Sequence, residues 1–228
     1  MSRAVAQRQL KTKTRLAAGF GALGFVILLA LVMMPWQTFP DLRLWIPFAL
    51  AFVYFEWNSV EVNDRLFASP SIMVLLTAAV IFGPESAVIG GATMAALAVV
   101  TPMDIRERRW FQPIVNFGQL VASAAIATAV LGLVVGIGLS TGSSSLGAGL
   151  WRIALGSALA SIAYGTVNYR MVLFIVGRVY GRLEVRPWSH IGAILLPMTG
   201  MGFLGGMLGA TYLIVGTAAL PLIAVVFF

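Results

Sequence analysis

IGAILLPMTGMGFLGGMLGATYLIVGTAALPLIAVVFF, residues 191–228, is a run of 38 residues without a charged side chain. A single helix of that length would measure about 57 Å, whereas the hydrocarbon core of a bilayer is about 30 Å thick. The run must therefore turn back, and its glycines place the turn either near residues 205–209 or at Gly216. We expect two membrane segments, 191–208 and 210–228. The alternative is one span followed by a shorter or re-entrant piece.

The rest of the chain has the same apolar character. Of its 228 residues, 60% are hydrophobic and 10% are charged, whereas about 25% of residues in soluble domains are charged. A water-soluble fold could not cover this much apolar surface, but lipid solvates it directly. The composition predicts an all-α, polytopic transmembrane helix bundle of seven or eight segments, within a range of six to eight.

Shorter apolar runs, separated by charged or Pro- and Gly-containing turns, predict the other spans. They lie at 16–34, 44–57, 67–83, 86–101, 113–138 and 150–176. No small-residue cleavage site follows the first run, which is longer than a signal-peptide core, so we interpret it as a retained helix. A basic cytoplasmic arm, 1–15, thus precedes a single transmembrane domain, 16–228.

The basic residues predict the orientation. With the N-terminus inside, only Arg43 and Arg152 of the 15 Lys and Arg residues lie outside. The inner set is Arg3, Arg8, Lys11, Lys13, Arg15, Arg65, Arg106, Arg108, Arg109, Arg170, Arg178, Arg182 and Arg186. Because positively charged loops stay in the cytoplasm, we predict a cytoplasmic N-terminus and, after eight segments, a cytoplasmic C-terminus. The predicted location is the bacterial cytoplasmic (inner) membrane.

The residue types present exclude several kinds of site. The chain has no cysteine, and His190 is its one histidine, so neither a thiolate nor a multi-histidine metal site can form. A Ser/His/Asp set is equally implausible, and we expect no catalytic activity, no metal and no cofactor. The net charge of +7 is spread over short loops, which is typical of membrane orientation and not of nucleic-acid binding.

Polar side chains at membrane depth are costly and therefore mark candidate sites. They recur on one face of the fifth predicted span and on one face of the sixth, which run antiparallel. Glu56 ends the second span on the same side of the membrane. The candidate ligand-binding residues, which we call the polar seam, are Glu56, Asn58, Asn116, Gln119, Ser123, Ser161, Tyr164 and Asn168.

Two plainer interpretations of the polar seam remain open. Its amides and hydroxyls can simply hydrogen-bond across helices and hold the bundle together. Glu56 can lie among the headgroups and pair with Arg65 or Arg170. The antiparallel arrangement predicts that Asn116 and Asn168 lie at the same depth.

The inner loop at 103–112 mixes charged with aromatic residues. Arg106, Arg108, Arg109 and Trp110 are candidates for binding an anionic headgroup or a cytoplasmic partner, although the orientation rule alone also explains them. Pairs of small residues four apart predict close helix packing within the chain, or a seam with a second copy or a partner membrane protein. These pairs are Ala18/Ala22, Gly132/Gly136, Gly202/Gly206 and Gly205/Gly209.

Several short motifs between Glu56 and Gln119 occur in a recognisable order. An acidic helix end is followed by Phe82-Gly-Pro, an Ala/Gly-rich helix, Arg108-Arg-Trp and Phe-x-Pro-x-x-Asn-x-x-Gln at 111–119. This order resembles the membrane-embedded N-terminal region of bacterial HD-domain and HD-GYP phosphohydrolases. The resemblance implies a sensing or anchoring region followed by a cytoplasmic domain that hydrolyses a phosphodiester. This sequence has no His-Asp metal motif, so the resemblance does not imply an enzyme here.

We therefore expect an integral membrane sensory or anchoring module. It would signal to a cytoplasmic output domain beyond Phe228, because the chain ends inside an apolar run, and a small-molecule ligand would bind at the polar seam. One alternative is a substrate-binding membrane subunit of a vitamin or metal transporter. Another is a structural subunit of a membrane complex. The expected partners are the lipid bilayer and either a second copy or another membrane protein.

Overall fold

The computed structural model describes residues 3–58, 60–63, 66–140, 146–181 and 191–227, and within these ranges the chain is helical apart from one short β-hairpin. The elements in chain order are α1 (Arg3–Met33), α2 (Leu42–Trp57), β1 (Val60–Asn63), β2 (Leu66–Ala68), α3 (Ser71–Phe82), α4 (Ala87–Leu97), α5 (Pro102–Glu107), α6 (Phe111–Ser140), α7 (Leu146–Tyr180), α8 (Ile191–Val215) and α9 (Leu220–Phe227). A 3-10 turn, Gly216–Ala219, joins α8 to α9.

Four helical stretches within the described ranges are long and apolar enough to cross a bilayer. They are Gln9–Met33, Phe111–Gly136, Gly147–Val179 and Leu195–Phe227. This result supports a helical membrane protein, as the composition predicts. The spans predicted at 16–34, 113–138 and 150–176 correspond to α1, α6 and α7. Helices α6 and α7 extend beyond both predicted bounds, whereas α1 begins much earlier, at Arg3, and ends one residue earlier, at Met33.

The predicted third and fourth spans, 67–83 and 86–101, are too long. Helices α3 and α4 have only 12 and 11 residues, or about 18 and 17 Å, which is less than the bilayer core of about 30 Å. The apolar residues before α3 belong instead to β2, which pairs antiparallel with β1. The two helices form a hairpin that turns at Gly83, where φ is +76°.

The C-terminal apolar run turns back at Gly216, and the alternative turn at residues 205–209 is wrong. Helix α8 continues to Val215, and Gly216 then adopts a φ of +68°. Leu213 lies beside Gly83, at the Phe82 end of the bundle. From there α9 returns toward α2, because the Phe227 ring lies 6.1 Å from the ring of Phe55. With 8 residues, α9 matches the shorter-piece alternative.

Helix α3 is the centre of the bundle. All ten residues from Ser71 to Val80 are buried, because α2, α4 and α8 surround them. Helix α6 packs against α1, α4 and α7, and α7 packs in turn against α8. We name the two ends of the bundle the Ser71 end and the Phe82 end, after the first and last residues of α3.

Glycines on two faces of α8 permit its close approach to both neighbours. A Cβ at Gly205 would overlap the Met73 carbonyl oxygen of α3, and one at Gly209 would lie 2.6 Å from Val80. On the other face, Cβ atoms at Gly202 and Gly206 would overlap two serine hydroxyls of α7. The pairs Gly202/Gly206 and Gly205/Gly209 therefore serve packing within the chain. The turn predicted at residues 205–209 does not occur because these glycines make helix contacts and α8 continues through them.

The remaining small-residue pairs do not have this role. A Cβ at Gly132 or Gly136 would meet nothing within 4 Å, and Ala18 and Ala22 are exposed. The predicted seam with a second copy or another membrane protein stays a prediction for these positions.

The contrast between the two glycine sets predicts opposite effects of added methyl groups. We expect Gly205→Ala to destabilise the protein by about 1–3 kcal/mol, because its Cβ meets backbone that cannot move aside. Gly132→Ala is the matched control, since its Cβ has space and alanine stabilises a helix by roughly 0.5–1 kcal/mol relative to glycine. Thermal unfolding of the detergent-solubilised protein measures both, and equal stabilities would contradict the close packing of α8 on α3.

Candidate functional site

Three helices meet at the Glu56 side chain, at the Ser71 end of the bundle. The Ser71 hydroxyl, which is fully buried at the start of α3, donates a 2.6 Å hydrogen bond to the Glu56 carboxylate at the end of α2. The buried Tyr164 side chain of α7 lies close to both of these groups. Ser69 lies beside them, just before α3, and its hydroxyl accepts a hydrogen bond from the Ser71 backbone N–H. We call these four residues the Glu56 cluster.

The backbone before α3 positions the two serines. Ser69 donates from its hydroxyl to the Phe55 carbonyl at 3.1 Å and accepts from the Ser71 backbone N–H at 3.2 Å. Pro70 then begins the helix with a φ of −64°, which its ring favours. The Ser-Pro-Ser segment therefore connects the end of α2 to the start of α3 and places the Ser71 hydroxyl against the Glu56 carboxylate.

A second polar contact joins α6 to α7. The Gln119 side-chain amide donates to the Asn168 side-chain oxygen. Asn168 follows Tyr164 by four residues, so both lie on the same face of α7, one turn apart. The polar seam therefore contains two groups of contacts, which one turn of α7 links. Asn116 was predicted to lie at the depth of Asn168. The residue of α6 that bonds with Asn168 is instead Gln119, one turn further along that helix.

The other predicted members of the polar seam have local partners. The buried Ser123 and Ser161 hydroxyls donate to carbonyls four residues earlier in their own helices, each at 2.7 Å. Asn58 is exposed, and its side-chain amide donates to the Tyr54 carbonyl at the end of α2. Asn116 is half-buried. These contacts agree with the alternative in which hydroxyls and amides stabilise the bundle.

The sequence suggested two salt-bridge partners for Glu56, Arg65 and Arg170. In the described ranges, Glu56 accepts a hydrogen bond from the Ser71 hydroxyl. Arg170 is exposed on α7, whereas Arg65 lies outside the described residues, as does His190.

Sequence reasoning missed Ser69, Ser71 and Thr77. Thr77 is fully buried, and its hydroxyl contacts both the Met73 carbonyl of α3 and the Gly205 carbonyl of α8, at 2.8 and 2.9 Å. The predicted span 67–83 treated all three as polar residues within an apolar run. The signal that could have found the serines is the Ser-Pro-Ser pattern, since Pro favours the first turn of a helix.

The predicted headgroup residues lie together at the α5–α6 junction. Arg106, Arg108, Arg109 and Trp110 are all exposed. The sequence predicted an inner loop at 103–112. Helix α5 occupies the first part of that stretch because Thr101 and Asp104 make a capping box. Reciprocal side-chain-to-backbone bonds of that kind satisfy N–H groups that would otherwise be unpaired at a helix start.

A cavity of about 260 Å³ lies far from the Glu56 cluster, at the Phe82 end. Val80, Gly83, Leu131, Gly132 and Leu213 are among the apolar residues that line it. Small-molecule sites usually measure about 300–1,000 Å³ and contain several polar groups that orient the ligand. This cavity therefore lacks the lining that a vitamin or a metal ion would require.

No family model, curated protein or solved structure matches the chain.

The bond between Gln119 and Asn168 can be tested by a double-mutant cycle. We expect Gln119→Met and Asn168→Leu each to lower stability, because the first leaves the half-buried Asn168 amide unpaired and the second leaves the buried Gln119 amide unpaired. The double variant should recover about 0.6 kcal/mol of coupling, the average for hydrogen bonds between membrane helices. Chemical or thermal unfolding in a fixed detergent measures the four proteins, and strictly additive losses would contradict a direct bond.

Proposed function

We propose that this chain is a multi-pass sensory module of the bacterial cytoplasmic membrane, and that it transmits a change at the Glu56 cluster to a cytoplasmic output domain. The observation that carries the proposal is the hydrogen bond from the Ser71 hydroxyl of α3 to the Glu56 carboxylate of α2, made beside the buried Tyr164 of α7. A charge within a helix bundle is expensive in low dielectric. A change in its protonation or in its ligand therefore alters the preferred arrangement of α2, α3 and α7.

The same helix connects the Glu56 cluster to the C-terminal segment. Phe55 precedes Glu56, and its ring lies 6.1 Å from that of Phe227 in α9. Phe48, two turns earlier on α2, also contacts Phe227, with ring centroids 6.4 Å apart. A rotation or shift of α2 would therefore displace α9, from which the output domain would follow.

The order of motifs between Glu56 and Gln119 adds support, because it resembles the membrane region of bacterial HD-domain signalling proteins. In this proposal the chain has eight membrane segments, with the α3–α4 hairpin and α9 as short ones, and both ends face the cytoplasm. The distribution of Lys and Arg supports that orientation. The Ser71 end then faces inward.

Reporter fusions test the orientation. We expect alkaline phosphatase to be active when fused after Glu85, in the α3–α4 turn, and inactive when fused after Arg109. A green fluorescent protein at the same two positions should give the opposite result, since it folds in the cytoplasm. Phosphatase activity at Arg109 together with fluorescence at Glu85 would reverse the proposed topology.

Glu56→Gln tests the coupling between the Glu56 cluster and α9. The chain contains no cysteine, so spin labels at Leu50→Cys and Val225→Cys, both exposed positions, report one distance between α2 and α9. Helix shifts in signalling transitions are about 1–2 Å, and we expect Glu56→Gln to change the mean distance by that amount because glutamine can neither ionise nor release a proton.

Glu85→Gln is the matched control for this measurement. It removes one carboxylate charge from an exposed turn at the opposite end of the bundle, and we expect it to leave the distance distribution unchanged. An unchanged distribution in Glu56→Gln, or equal changes in both variants, would contradict the sensory role of the Glu56 cluster.

A further inference from the structure

The end of α5 has an unusual residue in a left-handed backbone conformation. The Arg108 N–H bonds to the Ile105 carbonyl, and the Arg109 N–H bonds to the Asp104 carbonyl at 2.9 Å. This pair of bonds forms a Schellman motif, which requires a left-handed residue where Arg108 lies. Arg108 has a φ of 54° and a ψ of 40°.

Glycine is the residue expected at that position, because it adopts a positive φ without a steric penalty. The other positive-φ positions in the described parts of the chain are indeed glycines, at 83, 181 and 216. A bulky residue held in this conformation is a candidate for a functional role, because such strain concentrates at functional sites. At Arg108 that side chain is an exposed guanidinium.

The surroundings of Arg108 combine positive charge with exposed apolar side chains. Arg109 pairs with Glu107, whereas Arg106 and Arg108 have no acidic partner within the residues that the structure describes. Met103, Ile105 and Trp110 are each more than half exposed. Arginines interspersed with a tryptophan and aliphatic residues are typical of a segment that lies in the headgroup region of a bilayer.

The basic N-terminal arm reaches the same region. The Lys13 ammonium lies 5.7 Å from the centre of the Phe111 ring, at the start of α6. Phe111 follows Arg108 by three residues, so a cation from α1 is placed beside the α5–α6 junction. Charges from two distant parts of the sequence therefore converge on one surface.

We propose that Arg106, Arg108 and Lys13 form a binding site for the phosphate of an anionic phospholipid, while Met103, Ile105 and Trp110 enter the interface around it. Guanidinium groups donate several hydrogen bonds in a planar fork that fits phosphate oxygens. The complementary charges favour a lipid headgroup as the occupant. This site lies outside the Glu56 cluster and does not depend on the proposed sensory function.

Arg108→Gly separates lipid binding from folding, because it removes the guanidinium and relieves the backbone. The experiment titrates the purified full chain in non-ionic detergent with phosphatidylglycerol, and with phosphatidylcholine of the same acyl chains, and measures bound lipid by native mass spectrometry. We expect the chain to prefer phosphatidylglycerol. Arg108→Gly should weaken that binding by about fivefold, the effect of one basic residue near an anionic surface, while its unfolding temperature stays the same or rises.

Arg106→Gln is a second variant on the exposed surface of α5, and it should weaken phosphatidylglycerol binding similarly. Arg43→Gln is the matched control, because it removes one exposed charge at the start of α2, at the other end of that helix from Glu56. Equal phosphatidylglycerol binding by the parent chain and Arg108→Gly would overturn the proposal. So would an equal loss in Arg43→Gln, or equal affinity of the parent chain for the two lipids.

Discussion

The bundle depends on how closely α8 approaches α3. Membrane helices gain no hydrophobic driving force from leaving lipid, so their association relies on packing and on hydrogen bonds between helices. At Gly205 the missing side chain lets the Thr77 hydroxyl reach the Gly205 carbonyl at 2.9 Å. Because α3 also packs against α2 and α4, this contact determines where α8 lies relative to α2, α3 and α4. The opposite glycine face of α8 then positions α7.

Polar side chains in this bundle fall into two groups with different meanings. The hydroxyls of Ser123, Thr128 and Ser161 donate to carbonyls of their own helices. Such a bond needs no partner from another helix, so it does not indicate which helices are neighbours. Gln119 and Ser71 instead bond to side chains of other helices. A residue of the second kind is informative because its partner must be supplied by a separate part of the chain. Of these two contacts, the one in the Glu56 cluster has an ionisable partner, the Glu56 carboxylate.

The parts of the fold that could be predicted are those with strong local signals. Long apolar runs and basic loops predicted α1, α6 and α7, because a lipid-facing helix needs many apolar residues whatever its neighbours are. Helix α3 is different: it is buried on every side, so it has no polar face and its apolar sequence merges with that of β2. Its true start and the partnership of Ser71 with Glu56 depend on how the Ser69–Pro70 segment folds back. The sequence pattern also could not distinguish glycines that pack, such as Gly205, from one that turns the chain, Gly216.

Helices α8 and α9 are held in place by different kinds of contact. Helix α8 is held through backbone-to-backbone approach at Gly205, whereas the contacts of α9 with α2 include the rings of Phe48, Phe55 and Phe227. Ring contacts tolerate sliding, and a helix of 8 residues has few other interactions to break when it moves. In the proposed function, a change at Glu56 acts on α2 one residue from Phe55, and the contact of the Phe55 ring with the Phe227 ring carries that change to α9.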